Sequence, residues 1–279
     1  MLGDRRGRQP HGLPWSRRKM RTLLTGAGVA VAVLAAGLVL AVLHAVRPAS
    51  GPTGSDRAGG AVGSGAAPAT EATDRTSPED SLAARPMPEV PESASHPAPV
   101  SNLDPGAPIL LPPATRTGPV GVPTGFPRTP EGALAQLVAI DQIALESGSL
   151  AGARAVIRAW AMPGGPTTTS WSGVRAVERL LDGAGLSGGG STHFAVVLTP
   201  LMGLIKGSVG PDFVVPCVDF EIDVTLQRTA RGAVADCQRM VWQTDRWLIG
   251  PGAEPFTPPS VWPGTDVAFS VGYRDLRHE

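Results

Sequence analysis

Lysine is nearly absent from this chain: Lys19 and Lys206 are the only two. Acidic and basic residues balance, 24 against 24. With no net charge, no basic face stands out as a footprint for direct, sequence-specific binding of nucleic acid. Cysteine is as scarce as lysine, and Cys217, Cys237 and His193 do not make a metal ligand set. No nucleophile elbow, P-loop or zinc signature occurs. Gly183–Gly188 spells G-x-G-x-x-G, but a helical pattern precedes it and a strand pattern follows. A dinucleotide site needs the reverse order, so the stretch reads as a loop. These gaps leave no cofactor to expect and no reaction to assign, so the expectation is a protein that is not an enzyme.

A long apolar run is present. Residues 22–46 carry no charge, and polar side chains stand only near its ends, at Thr22, Thr25 and His44. As a helix this run would be roughly 37 Å long, enough to cross a hydrocarbon core of about 30 Å. Seven basic residues precede it, against Asp4 alone. That asymmetry predicts residues 1–21 in the cytoplasm, 22–46 as a single membrane-spanning anchor in the lipid bilayer, and the rest outside. A cleaved signal peptide would have a shorter core and small residues at a cleavage site; Leu43-His44-Ala45 is a poor one.

Aromatic residues are missing between Arg47 and Gly125, where Ala, Pro, Gly, Ser and Thr dominate. The composition predicts a disordered linker over 47–125, flexible at first and stiffer where proline is dense. Its one apolar patch, Ile109–Leu111, could dock on a partner or on the domain that follows.

From 126 to 279 the patterns become periodic, and the length suits one domain. Thr129-Pro130-Glu131 reads as a helix start, followed by a nearly all-apolar helix ending at Ser147-Gly148. Ser149 caps a second helix to about Met162, and a third runs from about Trp171 to Asp182. Strands follow at Thr192–Thr199 and Leu201–Val209, with Pro200 breaking the ladder. Val218–Gln227 alternates strictly, its even positions apolar and its odd ones polar, which predicts one face on a core and one in water. Gly232–Trp242 is the return strand, and Gln243-Thr244-Asp245 turns into a last strand over Arg246–Gly250. Thr265–Arg277 reads as an amphipathic terminal helix. Helices before sheet indicate α+β.

This order, ending in VDFEIDVTLQ, AVADCQRMVW and DRWLIGPG, resembles the cone-shaped nuclear transport factor 2-like fold. The anchor, Pro-rich spacer and such a domain together resemble membrane-anchored conjugation or type IV secretion assembly proteins of Gram-positive bacteria. The resemblance implies three helices on a curved antiparallel sheet, an assembly role among other envelope or secretion proteins, and self-association into a homo-oligomer. It carries over no catalytic residue.

Cys217 and Cys237 fall on neighbouring strands outside the cytoplasm, where disulfides persist. A tight turn at Thr229-Ala230 would set Cys237 opposite Ile222, so their bonding requires a bulge or a longer loop. Asp219, Glu221 and Asp223 read as a solvated strand face. Asp141 stands mid-helix among apolar neighbours. It either pairs with Arg154 or Arg158, or lines a pocket between helices and sheet with Trp160 and His193. The leading expectation is a single-pass cell-membrane protein with an extracytoplasmic interaction module. The alternative is a small-molecule-binding or enzymatic cone domain with its pocket near Asp141 and His193. A closed, apolar-filled cone favours the first; an open cavity with convergent polar groups favours the second.

Overall fold

The computed structural model describes residues 76–279 except 105, 189 and 190. The expected anchor at 22–46 and the first part of the expected linker lie outside the described residues. Among the described residues no helix is long and apolar enough to cross a membrane. In chain order the elements are α1 (Pro78–Ala84), β1 (Ile109–Leu111), β2 (Arg116–Thr117), β3 (Pro123–Thr124), α2 (Pro130–Glu146), α3 (Leu150–Trp160) and α4 (Ser172–Gly183). They continue as β4 (Ala195–Val209), β5 (Phe213–Thr225), β6 (Thr229–Cys237), β7 (Met240–Gln243), β8 (Arg246–Ile249), α5 (Asp266–Val271) and β9 (Arg274–His278).

The local signals set the helices where the sequence predicts them. Thr129 and Ser149 each accept a hydrogen bond from the backbone N–H three residues on, capping α2 and α3. Trp171 caps the start of α4 without a side-chain bond. All three helices lie on one face of a strongly curled, mostly antiparallel sheet, confirming an α+β domain. The sheet order is β1-β9-β4-β5-β7-β8, with β6 also paired to β5. The expected return strand is thus two strands, β6 and β7, interrupted at Gln238-Arg239. Pro200 does not end β4. The ladder absorbs it as a bulge between Pro200 and Met202, and the strand runs on to Val209.

Along β5 the alternation is kept, yet its polar face is not simply solvated. Val214, Val218, Phe220, Ile222 and Val224 meet the helices in the main core. Phe213, Val215 and Cys217 point the other way into a second core with Leu82, Met87, Val261, Val271 and Tyr273. Asp219 is fully buried on that side, one oxygen accepting from Val261 N–H at 3.3 Å. Glu221 and Asp223 stay on the outer side but only half-exposed, and both pair with Arg231, whose guanidinium lies over the Trp262 ring.

Residues 76–125 correct the expectation of a linker. Their few apolar side chains could not form a core of their own, but they complete one that the domain supplies. Leu82, Met87, Leu111 and Val122 are all buried. β1 pairs in parallel with β9, so the Ile109–Leu111 patch docks on its own domain. Arg239 Nη1 reaches Asp80 Oδ1 at 2.7 Å, and Lys206 Nζ donates to Ala83 O at 2.9 Å, tying α1 to the sheet. Gly207 lets Leu82 approach: a Cβ there would stand 2.8 Å from the Leu82 Cδ1. The terminal helix is also shorter than its pattern. Gly272 adopts φ 105°, its N–H closes on Ala268 and Phe269, and the chain leaves as strand β9.

Cys217 and Cys237 are disulfide-bonded and stand directly opposite each other, Cα atoms 4.1 Å apart. The turn that allows this lies at residues 226–228, because Thr225 pairs with Thr229. The bond is thus made by the longer loop it was expected to require, three residues in place of a tight turn at Thr229-Ala230.

Two outcomes follow for stability. Leu82→Ala is expected to destabilise the fold by about 2–4 kcal/mol in chemical denaturation, since a buried leucine is truncated; an unstructured linker would show no change. Replacing both cysteines by alanine should cost about 3 kcal/mol by the same measurement, for a loop spanning a separation of 20 residues.

Candidate functional site

A cavity of about 220 Å³ opens between α2, α4, β5, β6 and the segment after β8. That is many times the space a single water needs. Leu145, Ala176, Phe220 and Val234 give it apolar walls, and Pro255 and Pro258 close one side. Asp141, Asp236 and Glu254 bring three carboxyl groups to it, with Ser172, Arg175 and Arg179 from α4.

Each acid arrives for a different local reason. Asp141 and Leu145 stand one turn apart on α2 and so share a face. Asp236 sits opposite Val218 in the ladder, so it points to the helix side of the sheet along with Val218. The disulfide-bearing neighbour, Cys237, points to the other side. Glu254 comes from the irregular segment after β8 and caps α4. Its Oε1 accepts from Ser172 N–H at 2.9 Å and from the Ser172 hydroxyl at 2.6 Å. A negative group at a helix N-terminus is favoured by the unpaired N–H groups there.

Hydrogen bonds link most of the cluster. Gln238 Nε2 donates to Asp236 Oδ2 at 2.9 Å and to Glu254 Oε1 at 3.2 Å. The Ser172 hydroxyl lies 3.3 Å from Asp236 Oδ1. Arg175 Nη2 meets Glu254 Oε2 at 3.1 Å. Asp141 is the exception: it is 3% exposed, and its Oδ2 has no hydrogen-bond partner.

Burial dominates the electrostatics. It pushes the Asp141 carboxyl well above the ordinary range, and the charges of Asp236 and Glu254 push it further. Asp236 is pushed up to about 7, by burial first and then by Glu254; its bonds to Gln238 and Ser172 oppose the shift. On the far side of the sheet, burial raises Asp219, against the Val261 hydrogen bond. Tyr273 is also raised, by burial and by Asp219 and Asp236; its hydroxyl donates to Pro259 O at 3.1 Å.

Only one of the three expected pocket residues is here. Asp141 lines the cavity, but Trp160 and His193 do not. Trp160 is buried at the end of α3, where its ring N–H donates to Pro119 O at 3.2 Å and Arg246 lies over its face. It holds residues 119–121 against the domain. His193 is exposed in the turn before β4. Among the described residues no ion pair joins Asp141 to Arg154 or Arg158. Asp236 was legible in principle, because bonding Cys217 to Cys237 sets Asp236 opposite Val218 and therefore inward. Glu254 left no such signal, since it follows the last strand of the β5–β8 meander in a proline-rich stretch.

Among the described residues no group of three His, Cys, Asp or Glu residues is placed to hold a metal ion. No protein-family model, curated protein or solved structure matches this chain.

The raised acids set a pH dependence. Asp141, Asp219 and Asp236 bind protons more tightly folded than unfolded. Their contribution is complete below the unfolded value near 4 and is lost as pH rises, for Asp236 through about 7. The carboxyls held below the ordinary range, Asp80 and Asp245, contribute stability that is already complete above about pH 4 and is lost only as pH falls below it, so they do not alter the trend between pH 5 and 8. Thermal unfolding is expected to show a lower midpoint at pH 8 than at pH 5. Asp236→Asn should reduce that fall; a few degrees corresponds to about 1 kcal/mol for a chain of this size.

Proposed function

We propose that this chain is a single-pass cell-membrane protein, anchored by residues 22–46, whose α+β domain works outside the cytoplasm as a protein-interaction and assembly module. The setting that fits its layout is a conjugation or type IV secretion apparatus of a Gram-positive bacterium, and the fold is a nuclear transport factor 2-like cone. The basic head and uncharged apolar run support the anchor. The Cys217–Cys237 bond supports an oxidising compartment for the domain. Three helices seated in a curled sheet support the cone.

The observation that carries the binding role is the cavity itself. It is not a closed, apolar-filled cone: three carboxyl groups converge on a roofed space with apolar walls. A hydrogen-bonded frame of Ser172, Gln238, Asp236 and Glu254 holds that shape before any ligand arrives, which favours recognition by lowering the ordering cost. An open cavity with convergent polar groups is the arrangement that favours a ligand-binding domain over a closed assembly cone. The assembly role therefore holds here as a module that takes a partner's group into this pocket. A second reading has one observation in its favour. An Asp236 carboxyl near 7 in a cavity suits general acid–base work. In that reading Asp141 and Asp236 are the acids, and His193 takes no part.

A photo-crosslinking residue placed at Thr257, on the cavity wall, in the full chain in intact cells separates these readings. Adducts with other membrane-anchored envelope proteins, reduced when the same residue is placed at exposed Val197, are expected. Monomer alone from both positions would overturn the assembly role and leave the acid–base reading.

A further inference from the structure

Asp141 is the one acid in the cavity left with an unmet oxygen. Its carboxyl is buried to 3% exposure, and Oδ2 has no hydrogen-bond partner. A buried acceptor without a donor is costly, and in native folds it commonly marks a place that a ligand, an ion or a water completes. The cavity that Asp141 lines has room for more than a water.

The charges facing this oxygen come from four elements. α2 brings Asp141, β6 brings Asp236 and the segment after β8 brings Glu254. α4 brings Arg175 and Arg179, and behind the sheet stand Asp219 and Tyr273. Arg175 is engaged by Glu254 and by the Ser170 carbonyl, and its side chain is nearly half exposed. Arg179 lies partly buried on the same helix face, with the Arg175 and Glu178 charges as its nearby influences. Neither arginine is a cause of the Asp141 shift, whereas both neighbouring acids are. The charges of Asp236 and Glu254 therefore both repel that of Asp141, and Arg175 is held by Glu254.

Either a proton or a cation relieves that repulsion. A metal ion needs several oxygens converging at about 2.0–2.6 Å, and the described residues offer no such group. An organic cation has looser demands. It supplies several N–H donors from one end and an alkyl stem from the other. Leu145, Phe220, Val234 and Pro255 line the path such a stem would take.

We propose that the cavity takes a guanidinium or primary ammonium group carried on an apolar stem, with its N–H donors on Asp141 Oδ2 and its charge shared with Asp236. This rests on reading the cavity as the docking point of the module. The cation comes either from a partner's arginine or lysine side chain or from a free small amine. Both present the same chemistry to Asp141. Asp236 is pushed up to about 7, so a cation bound beside it favours its charged form, releases a proton near that pH and binds more strongly as pH rises through it.

The test is calorimetric titration of the full chain in lipid nanodiscs with n-butylguanidinium, with neutral n-butylurea as the control. Saturable binding of the cation at pH 8 is expected, without comparable binding of the urea. Near neutral pH, buffers of different ionisation enthalpy should reveal proton release. Asp141→Asn should weaken binding by at least about tenfold, since a buried charge loses its partner. Its thermal midpoint at pH 8 reports whether the variant remains folded. Proton release in the unmodified chain provides a readout that does not depend on the variant. No saturable heat up to tens of millimolar, equal binding of the urea, or unchanged affinity in folded Asp141→Asn would each overturn the proposal. Tighter binding of a capped Gly-Arg-Gly peptide than of butylguanidinium would assign the cation to a partner side chain; weaker binding would assign it to a free amine. Thr257 crosslinks that persist without cation binding would sink this inference and leave the assembly role. Cation binding without a crosslinked partner would do the reverse.

Discussion

The antiparallel pairing of β4 with β5 is the constraint on which the other elements depend. β5 runs for 13 residues and alternates without a slip from Val214 to Val224. Because side chains in a strand alternate between faces, one strand feeds two cores. The helix side takes Val218, Phe220 and Ile222; the opposite side takes Phe213, Val215 and Cys217. A sheet with apolar groups on both faces must be covered on both. The three helices cover one face. The other is covered by short helices set in proline-rich chain, α1 and the segment from Pro255 to Tyr273 that carries α5.

That second cover explains the proline-rich stretches on either side of the domain. Neither could fold alone, because too few apolar side chains are available to offset the entropy of ordering them. Each is ordered by what it lands on. Leu82 fits over Gly207, Lys206 Nζ donates to the Ala83 carbonyl of α1, and Arg239 holds Asp80 while lying over the Phe213 ring. Arg239 and Gln238 sit where β6 gives way to β7. The interruption in the return strand is thus the point at which the outer cover is fastened and the cavity frame begins.

The cavity shows how a buried acidic cluster is tolerated. Ser172, Gln238 and Arg175 satisfy Glu254 and Asp236 with several donors, so those two acids cost less than bare charges would. Asp141 lacks that support at Oδ2, and burial together with the neighbouring acids pushes its carboxyl well above the ordinary range. A site that keeps an acid at this cost, rather than an apolar residue of similar size, is biased toward whatever supplies the missing donor.

The sequence by itself determined the helix starts at Thr129 and Ser149, the alternation of β5, and Asp141 as a carboxyl among apolar neighbours. Each of these depends on residues within a few positions, where capping and side-chain periodicity act. Only the tertiary structure decided that residues 76–125 belong to the domain, that Asp219 is buried and Glu221 is not, and that Trp160 and His193 stand away from the cavity. It also set the turn at residues 226–228, which brings Cys217 to Cys237 and turns Asp236 inward. These outcomes depend on strand register and on which distant segment covers which face. No window of local sequence contains the partner that settles them.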